Sequence, residues 1–251
     1  MDIRTFGTSL GMAQAAARHA SDVLRSAIEQ RGHACFVAAT GSSQFEFLEY
    51  LTADRSIDWS KTTMFHLDEY VGLPIDHPAS FRKYLQERFI EKVHPAEVNL
   101  VTGDSPDPVR EARRISEIIS QCTIDIAFVG VGENGHLAFN DPPADFETEE
   151  PFIVVDLDEK CRRQQVGEGW FSSVEEVPPK AISMSIKQIM KSKEIIVVVP
   201  GVRKAEAIKD CFGNDNISPM FPSSILKLHP HAVVYLDKES ATLLKDVPTS
   251  V

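Results

Sequence analysis

The chain alternates short apolar runs of β type with stretches of helical period along almost its whole length. The runs are ACFVAA (34–39), TTMFHL (62–67), a short one near Val98–Val101, IDIAFV (124–129), FIVVDL (152–157), EIIVVV (194–199) and HAVVYL (231–236). EIIVVV shows no polar alternation, so both faces of such a strand must be covered. Helical patterns separate the runs. They cover Gly11–Gln30 (ended by Gly32), about Ser80–Phe89, Pro108–Ser120, Ala181–Lys191 and Val202–Phe212. Phe45, Leu48 and Leu51 sit at helical spacing, and a short helix is read from Lys238. Seven strands alternating with helices predict an α/β fold with a mainly parallel sheet covered on both faces. No repeat or linker divides residues 1–251, so the reading is a single α/β domain. The stretch Asp141–Trp170 is acidic, proline-bearing and irregular, which makes a lid at about 141–180 the expectation.

Charge and composition narrow the function. A net charge of −11 argues against a nucleic-acid partner, because phosphate backbones require clustered Lys and Arg. An anionic ligand would have to be drawn in locally, by helix N-termini and a few placed cations. No apolar run approaches the roughly 20 residues of a membrane span, and the N-terminus lacks the apolar core of a signal peptide. The expectation is a cytoplasmic protein without a membrane partner. Cys35, Cys122, Cys161 and Cys211 are scattered, with no metal-ligand spacing, so free thiols and no metal are expected.

In a parallel sheet, ligands bind beyond the carboxyl ends of the strands. TGSSQ follows 34–39, DEYVGLP follows 62–67, GVGENGHLAFNDPP follows 124–129 and PGVRK follows 194–199. All four combine glycine with polar or charged groups, and a parallel sheet would bring them to one rim. In TGSSQFEFL, Gly41 allows a sharp turn after Thr40. Ser42 or Ser43 would then either cap the next helix or, with free N–H groups, cradle a phosphate. Asp68 and Glu69 offer one carboxylate base and one structural partner, or an acidic turn. Gly130, Gly132 and Gly135 fit GxGxxG by letter, but His136, Pro142 and Pro143 follow and no clean helix opens, so a dinucleotide is not expected. The better reading is a backbone curled around a small ligand. His136 would be the acid–base group, and Asn134 and Asp141 would orient it or bind substrate. Arg203 and Lys204 stand at a helix start, where a cation opposes the helix dipole unless an anion binds. Lys160, Arg162 and Arg163 are further cationic candidates, or a solvated helix face. His229 and His231 read as flanking a strand, without a chemical role. The sum is a small phosphorylated substrate and proton transfer beside a carbonyl or imine.

FHLDEYVGLP, GVGENGHLAFNDPP, TGSS and PGVRKAEAI, in this order, resemble the glucosamine-6-phosphate deaminase (isomerase) family. The similarity runs from about Cys35 to Leu236. Related 6-phosphogluconolactonases share the fold and a GxGxDGH loop. The resemblance implies a Rossmann-like three-layer α/β/α sandwich, no cofactor, and conversion of glucosamine 6-phosphate and water to fructose 6-phosphate and ammonia. By motif position His136 matches the ring-opening residue, assisted by nearby acidic residues including Asp141. Asp68 matches the base that moves a proton between carbons 2 and 1. Gly41, Ser42 and Ser43 match the phosphate loop and Lys204 a phosphate-binding lysine. Thr40, Glu69 and Gly132 fall in the same motifs and count as candidate substrate-binding residues.

Three departures stand out. Asn134 replaces an Asp, with Glu133 as a candidate substitute for the lost charge. Asp141 replaces a Glu. Gly169 falls where the family's lid carries a phosphate-binding Arg, which leaves Arg162 or Arg163 as candidates. The acidic PADFETEEPF lacks the basic residues of allosteric members, so no activation by N-acetylglucosamine 6-phosphate is expected. Another hexose phosphate such as galactosamine 6-phosphate, a lactone substrate, and a sugar-phosphate sensor are the alternatives. Oligomeric state stays open, a homo-oligomer included.

Overall fold

The computed structural model describes residues 1–245. The last six residues of the single-domain reading therefore lie outside the described residues. Seven parallel strands form the central sheet, in the order β1 (Asp2–Phe6), β10 (Ala232–Asp237), β9 (Glu194–Val199), β6 (Ile126–Val129), β2 (Ala34–Ala38), β3 (Thr62–His66) and β5 (Glu97–Asn99). A second, antiparallel sheet joins β4 (Asp68–Tyr70), β8 (Lys180–Met184) and β7 (Phe152–Asp156).

The two-residue period of the strands divides the core in two. Val37, Ala127, Val129, Ile195, Val197 and Val199 enter one cluster. Their neighbours Phe36, Ile126, Phe128, Ile196 and Val198 enter the other, on the opposite face. Helix α1 (Ser9–Arg31) and helix α2 (Phe45–Ala53) cover the second face. They are joined there by a helical segment from α3 (Phe81–Leu85) through a wider turn at Gln86–Ile90 to α4 (Glu91–Val93). Helix α5 (Pro108–Ile119), α7 (Ile186–Met190), α8 (Ala205–Phe212) and the small sheet cover the first. The three-layer expectation is met. Truncating Ile195 or Ile196, both fully buried, to Ala would cost about 2–5 kcal/mol.

Several elements differ from the sequence reading. β1 has no apolar run because it is an edge strand in which only Thr5 is buried. FIVVDL forms a strand, but in the small sheet. Ala181–Lys191 was expected as one helix, yet Lys180–Met184 is a strand, and only Ile186–Met190 is helical. Apolar residues at 182, 184, 186 and 189 satisfy both periods. The break is made by Ser185, whose hydroxyl accepts from the Gln188 N–H as an N-cap. The segment after Lys238 forms turns rather than a helix. The irregular 141–170 stretch holds β7 and a helix, α6 (Glu159–Gly167). Among the described residues, no helix is long and apolar enough to cross a membrane.

Candidate active site

From β2 the chain proceeds through β3 to β5 on one side of the sheet. From its neighbour β6 it proceeds through β9 to β10 on the other. The carboxyl ends of β2 and β6 thus form the switch point, where an open α/β sheet leaves a crevice between diverging loops. A cleft of about 540 Å³ lies there. Thr40–Ser43 from the β2 loop, Gly130–Gly132 and His136 from the β6 loop, Asp68 after β3 and Lys204 after β9 all line it. The four loops converge as expected.

Two of them are built alike. After β2 and after β9 a glycine at positive φ (Gly41 at 97°, Gly201 at 87°) turns the chain into a single 3₁₀ turn and then into α2 or α8. Neither Ser42 nor Ser43 caps α2, which corrects the helix-cap alternative. The Ser42 hydroxyl donates to Glu168 Oε2 (3.0 Å), and Ser43 Oγ accepts from the Gln44 amide (3.1 Å). Lys204 is nearly buried. Burial lowers its ammonium pKa, partly opposed by the Glu168 and Glu133 charges. Among the described residues it is the only Lys or Arg lining the cleft.

The two members of the acidic pair have different surroundings. Asp68 is buried at the cleft wall, and its carboxyl is raised well above the usual range by burial first and by the Glu69 charge second. Glu69 points away from the cleft. Its carboxylate accepts from the N–H groups of Tyr70, Phe81 and Arg82 and from the Ser80 hydroxyl, tying β4 to the start of α3. Glu69 is therefore a structural group, not the substrate ligand expected from the motif. Strand side-chain alternation explains this, since neighbouring residues face opposite ways.

His136 is held by its own loop. The Gly132 N–H donates to the His136 carbonyl (2.9 Å) and the His136 N–H to Asn134 Oδ1 (3.1 Å). A Cβ on Gly132 would lie 2.2 Å from the ring's Cε1, so only glycine lets the imidazole lie against this backbone. Asp141 Oδ1 stands 3.1 Å from His136 Nδ1. The shorter acidic side chain still reaches the ring. Burial pushes the Asp141 carboxyl up, but the His136 ring, the Asn134 amide and the Asp158 N–H pull harder and leave it below the usual value. Asn134 contacts the ring only through Asp141: its amide donates to Asp141 Oδ1 (2.9 Å) and Asp158 Oδ2 (3.1 Å). Asn134 and Asp141 thus position the imidazole and do not line the cleft. Glu133 does not restore the missing charge, because Arg203 pairs with it (2.6 Å).

Helix α6 and the residues after it cover the cleft. Asp158 caps this helix, accepting from the Cys161 N–H. Gln164, Gln165 and Glu168 line the cleft from above. Gln164 Oε1 accepts from the Glu133 N–H (2.8 Å), and its amide donates to Glu168 Oε1 (2.8 Å). Arg163 does not reach the site. It is exposed on the other face of α6, paired with Glu159, one turn back. Arg162 donates to the Val174 carbonyl. Neither arginine replaces the lid cation. The sequence singles out Lys160, Arg162 and Arg163 in this segment, as cationic candidates or a solvated helix face, and not Gln164, Gln165 or Glu168. The missed signal was spacing, since positions 164, 165 and 168 share one helical face. His229 has the expected quiet role: Nε2 meets the Ser192 carbonyl and Nδ1 accepts from the His231 N–H.

Fold and cleft together define a doubly wound α/β protein with a buried carboxyl, an imidazole and a buried cation in one switch-point crevice. The chain belongs to the family described as glucosamine-6-phosphate isomerases/6-phosphogluconolactonase, whose profile matches residues 8–235. It is 39% identical over 208 residues to a glucosamine-6-phosphate deaminase of Exiguobacterium sibiricum, covering 83% of this chain and 80% of that one. A second deaminase, from Thermoanaerobacter pseudethanolicus, is 34% identical with 91% of each chain covered. Among solved structures, a monomeric glucosamine-6-phosphate deaminase superposes with a TM-score of 0.89 at 31% identity, covering 97% of this chain and all of that one.

Proposed function

We propose that the chain deaminates and isomerises glucosamine 6-phosphate to fructose 6-phosphate and ammonia, as one catalytic domain with the segment at about 141–180 as its lid. The carrying observation is that the Asp68 carboxyl and the His136 imidazole line the same cleft as Lys204 and the Ser42–Ser43 turn. The phosphate is held by the Thr40–Ser43 turn and Lys204. His136, oriented by Asp141, moves the proton that opens the sugar ring. Asp68 takes the proton from carbon 2 and returns it at carbon 1. The imine left at carbon 2 is hydrolysed, water supplying the ketone oxygen and ammonia leaving. A raised carboxyl suits this task, because a base whose pKa lies nearer the working pH both accepts and returns a proton. The named relatives, at 39% and 34% identity over most of the chain, support the same substrate.

Ammonia and fructose 6-phosphate measured together from glucosamine 6-phosphate test the reading. Equal amounts, lost in Asp68→Asn, are expected. Binding of the sugar phosphate without release of either product would overturn it in favour of a sensor or another substrate.

A further inference from the structure

Three side chains of different type and wide spacing in the sequence meet beside the cleft. A ring nitrogen of His136, a carboxylate oxygen of Asp141 and Sγ of Cys161 all lie within 4.8 Å of one another, and it is Nδ1 that stands 3.1 Å from the Asp141 carboxylate. One four-coordinate ion with bonds of roughly 2.0–2.3 Å can span donor atoms at such separations. His136 is only 8% exposed, and its Nδ1 has no aligned hydrogen-bond partner although Asp141 stands beside it. Cys161, on α6, is fully enclosed. The approach is electrostatically prepared. Asp141, Asp145, Asp156 and Asp158 line an outer groove that shares only Phe139 with the substrate cleft. Asp156 is paired with Lys180, whereas Asp141 and Asp158 join the groove to the donor cluster.

We propose that His136, Asp141 and Cys161 form an inhibitory site for a thiophilic divalent cation of the zinc class, entered through the acidic groove. On binding, the thiol proton passes to the buffer, bonds form from the ion to sulfur, Nδ1 and a carboxylate oxygen, and water fills the fourth position. No electrons are transferred. An ion on Nδ1 fixes the remaining ring proton on Nε2, which can then donate but not accept. The inhibitory consequence rests on the function proposed above, in which His136 must do both. The binding itself does not.

Cobalt(II) added to the full chain without substrate reports the site. One equivalent is expected to give tetrahedral bands with a thiolate-to-cobalt charge-transfer band. The signal should persist in Cys35→Ser/Cys122→Ser and vanish in Cys161→Ser. The double variant matters because Cys35 lies 3.8 Å from His33 Nε2 and next to Cys122, a rival set of ligands. X-ray absorption of the zinc-loaded wild-type chain keeps the test independent of how Cys161→Ser folds: one sulfur among nitrogen and oxygen is expected. No charge-transfer band, a band lost with Cys35 and Cys122, or two sulfurs on zinc would each overturn the proposal. Zinc should lower ammonia release on the order of 10²-fold, reversibly with a chelator and without relief by saturating sugar phosphate. Relief by substrate would put the ion in the cleft and overturn the groove route. A cobalt signal that follows Cys161 in a protein without deaminase turnover would support the site and remove only the function reading.

Discussion

In the role proposed for it, Asp68 sets catalysis against folding. Its carboxyl is raised in the folded chain by burial and by Glu69. Above the unfolded carboxylate range the unfolded chain has lost a proton that the native one still holds, so stability falls as pH rises toward the folded value. Asp68→Asn removes that cost. We expect the variant to lose turnover by about 10²–10⁴-fold. Its melting temperature near neutral pH should rise, by roughly 2–4 °C per kcal/mol gained. Thermal melts at neutral pH and at about pH 4 check the sign, because the gain should shrink as the unfolded carboxyl takes up its proton. Gly132→Ala acts by shape alone. A methyl 2.2 Å from the imidazole must push the ring aside, and turnover should drop on the order of 10²-fold while substrate affinity changes far less. Glu168 would compete for the anion subsite proposed above, since it accepts from Ser42 and faces the Lys204 charge. Glu168→Gln should therefore lower KM for the sugar phosphate. An unchanged or higher KM would mean that the carboxylate binds substrate instead.

At the scale of elements, α6 connects the cover to the Asp141–His136 pair through one residue. Asp158 caps the helix at the Cys161 N–H, accepts from Asn134 and donates its own N–H to Asp141 Oδ2 (3.0 Å). Asp158→Ala should cost about 1 kcal/mol through the lost cap. It should also lower kcat, because Asn134 loses one anchor and Asp141 is held less firmly. A cap without a part in catalysis would change the melting temperature and leave kcat alone, so measuring both separates the two roles. The small sheet is the other element with a functional load. β4 pairs with β8, Asp68 opposite Ser183, so the position of the Asp68 carboxyl depends on a strand more than 100 residues further along the chain. The sequence did not disclose that pairing. AISMSI carries both a helical and a strand period, and only its tertiary neighbours select between them.

For the whole molecule, the charge of −11 works against an anionic substrate. Long-range repulsion is screened by salt over a Debye length of about 10 Å at 0.1 M, while the buried Lys204 acts at contact range. Raising ionic strength from low to physiological should therefore increase kcat/KM modestly. A fall would mean that a local positive field dominates the approach. The parallel architecture was legible for a physical reason: strands buried on both faces must be continuously apolar, as EIIVVV is. The candidate rim was legible because glycine and charged residues after a buried strand have few structural uses. Arg163 faces solvent and Gln164 faces the cleft, a difference that a polar helix does not announce in its sequence.

The sequence alone determined the class of fold, the four loops of the cleft, and the candidate acid, base and cation in Asp68, His136 and Lys204. These follow from local chemistry, from strand period, turn residues and the placing of titratable groups at strand ends. The tertiary structure alone decided which member of the Asp68–Glu69 pair faces the cleft and which residue aligns the imidazole. It also decided that the cover over the cleft presents Glu168 and two glutamines, with no arginine among the described residues, and that Cys161 meets His136. Those outcomes depend on how separate elements face one another in space, and one-dimensional spacing does not encode that.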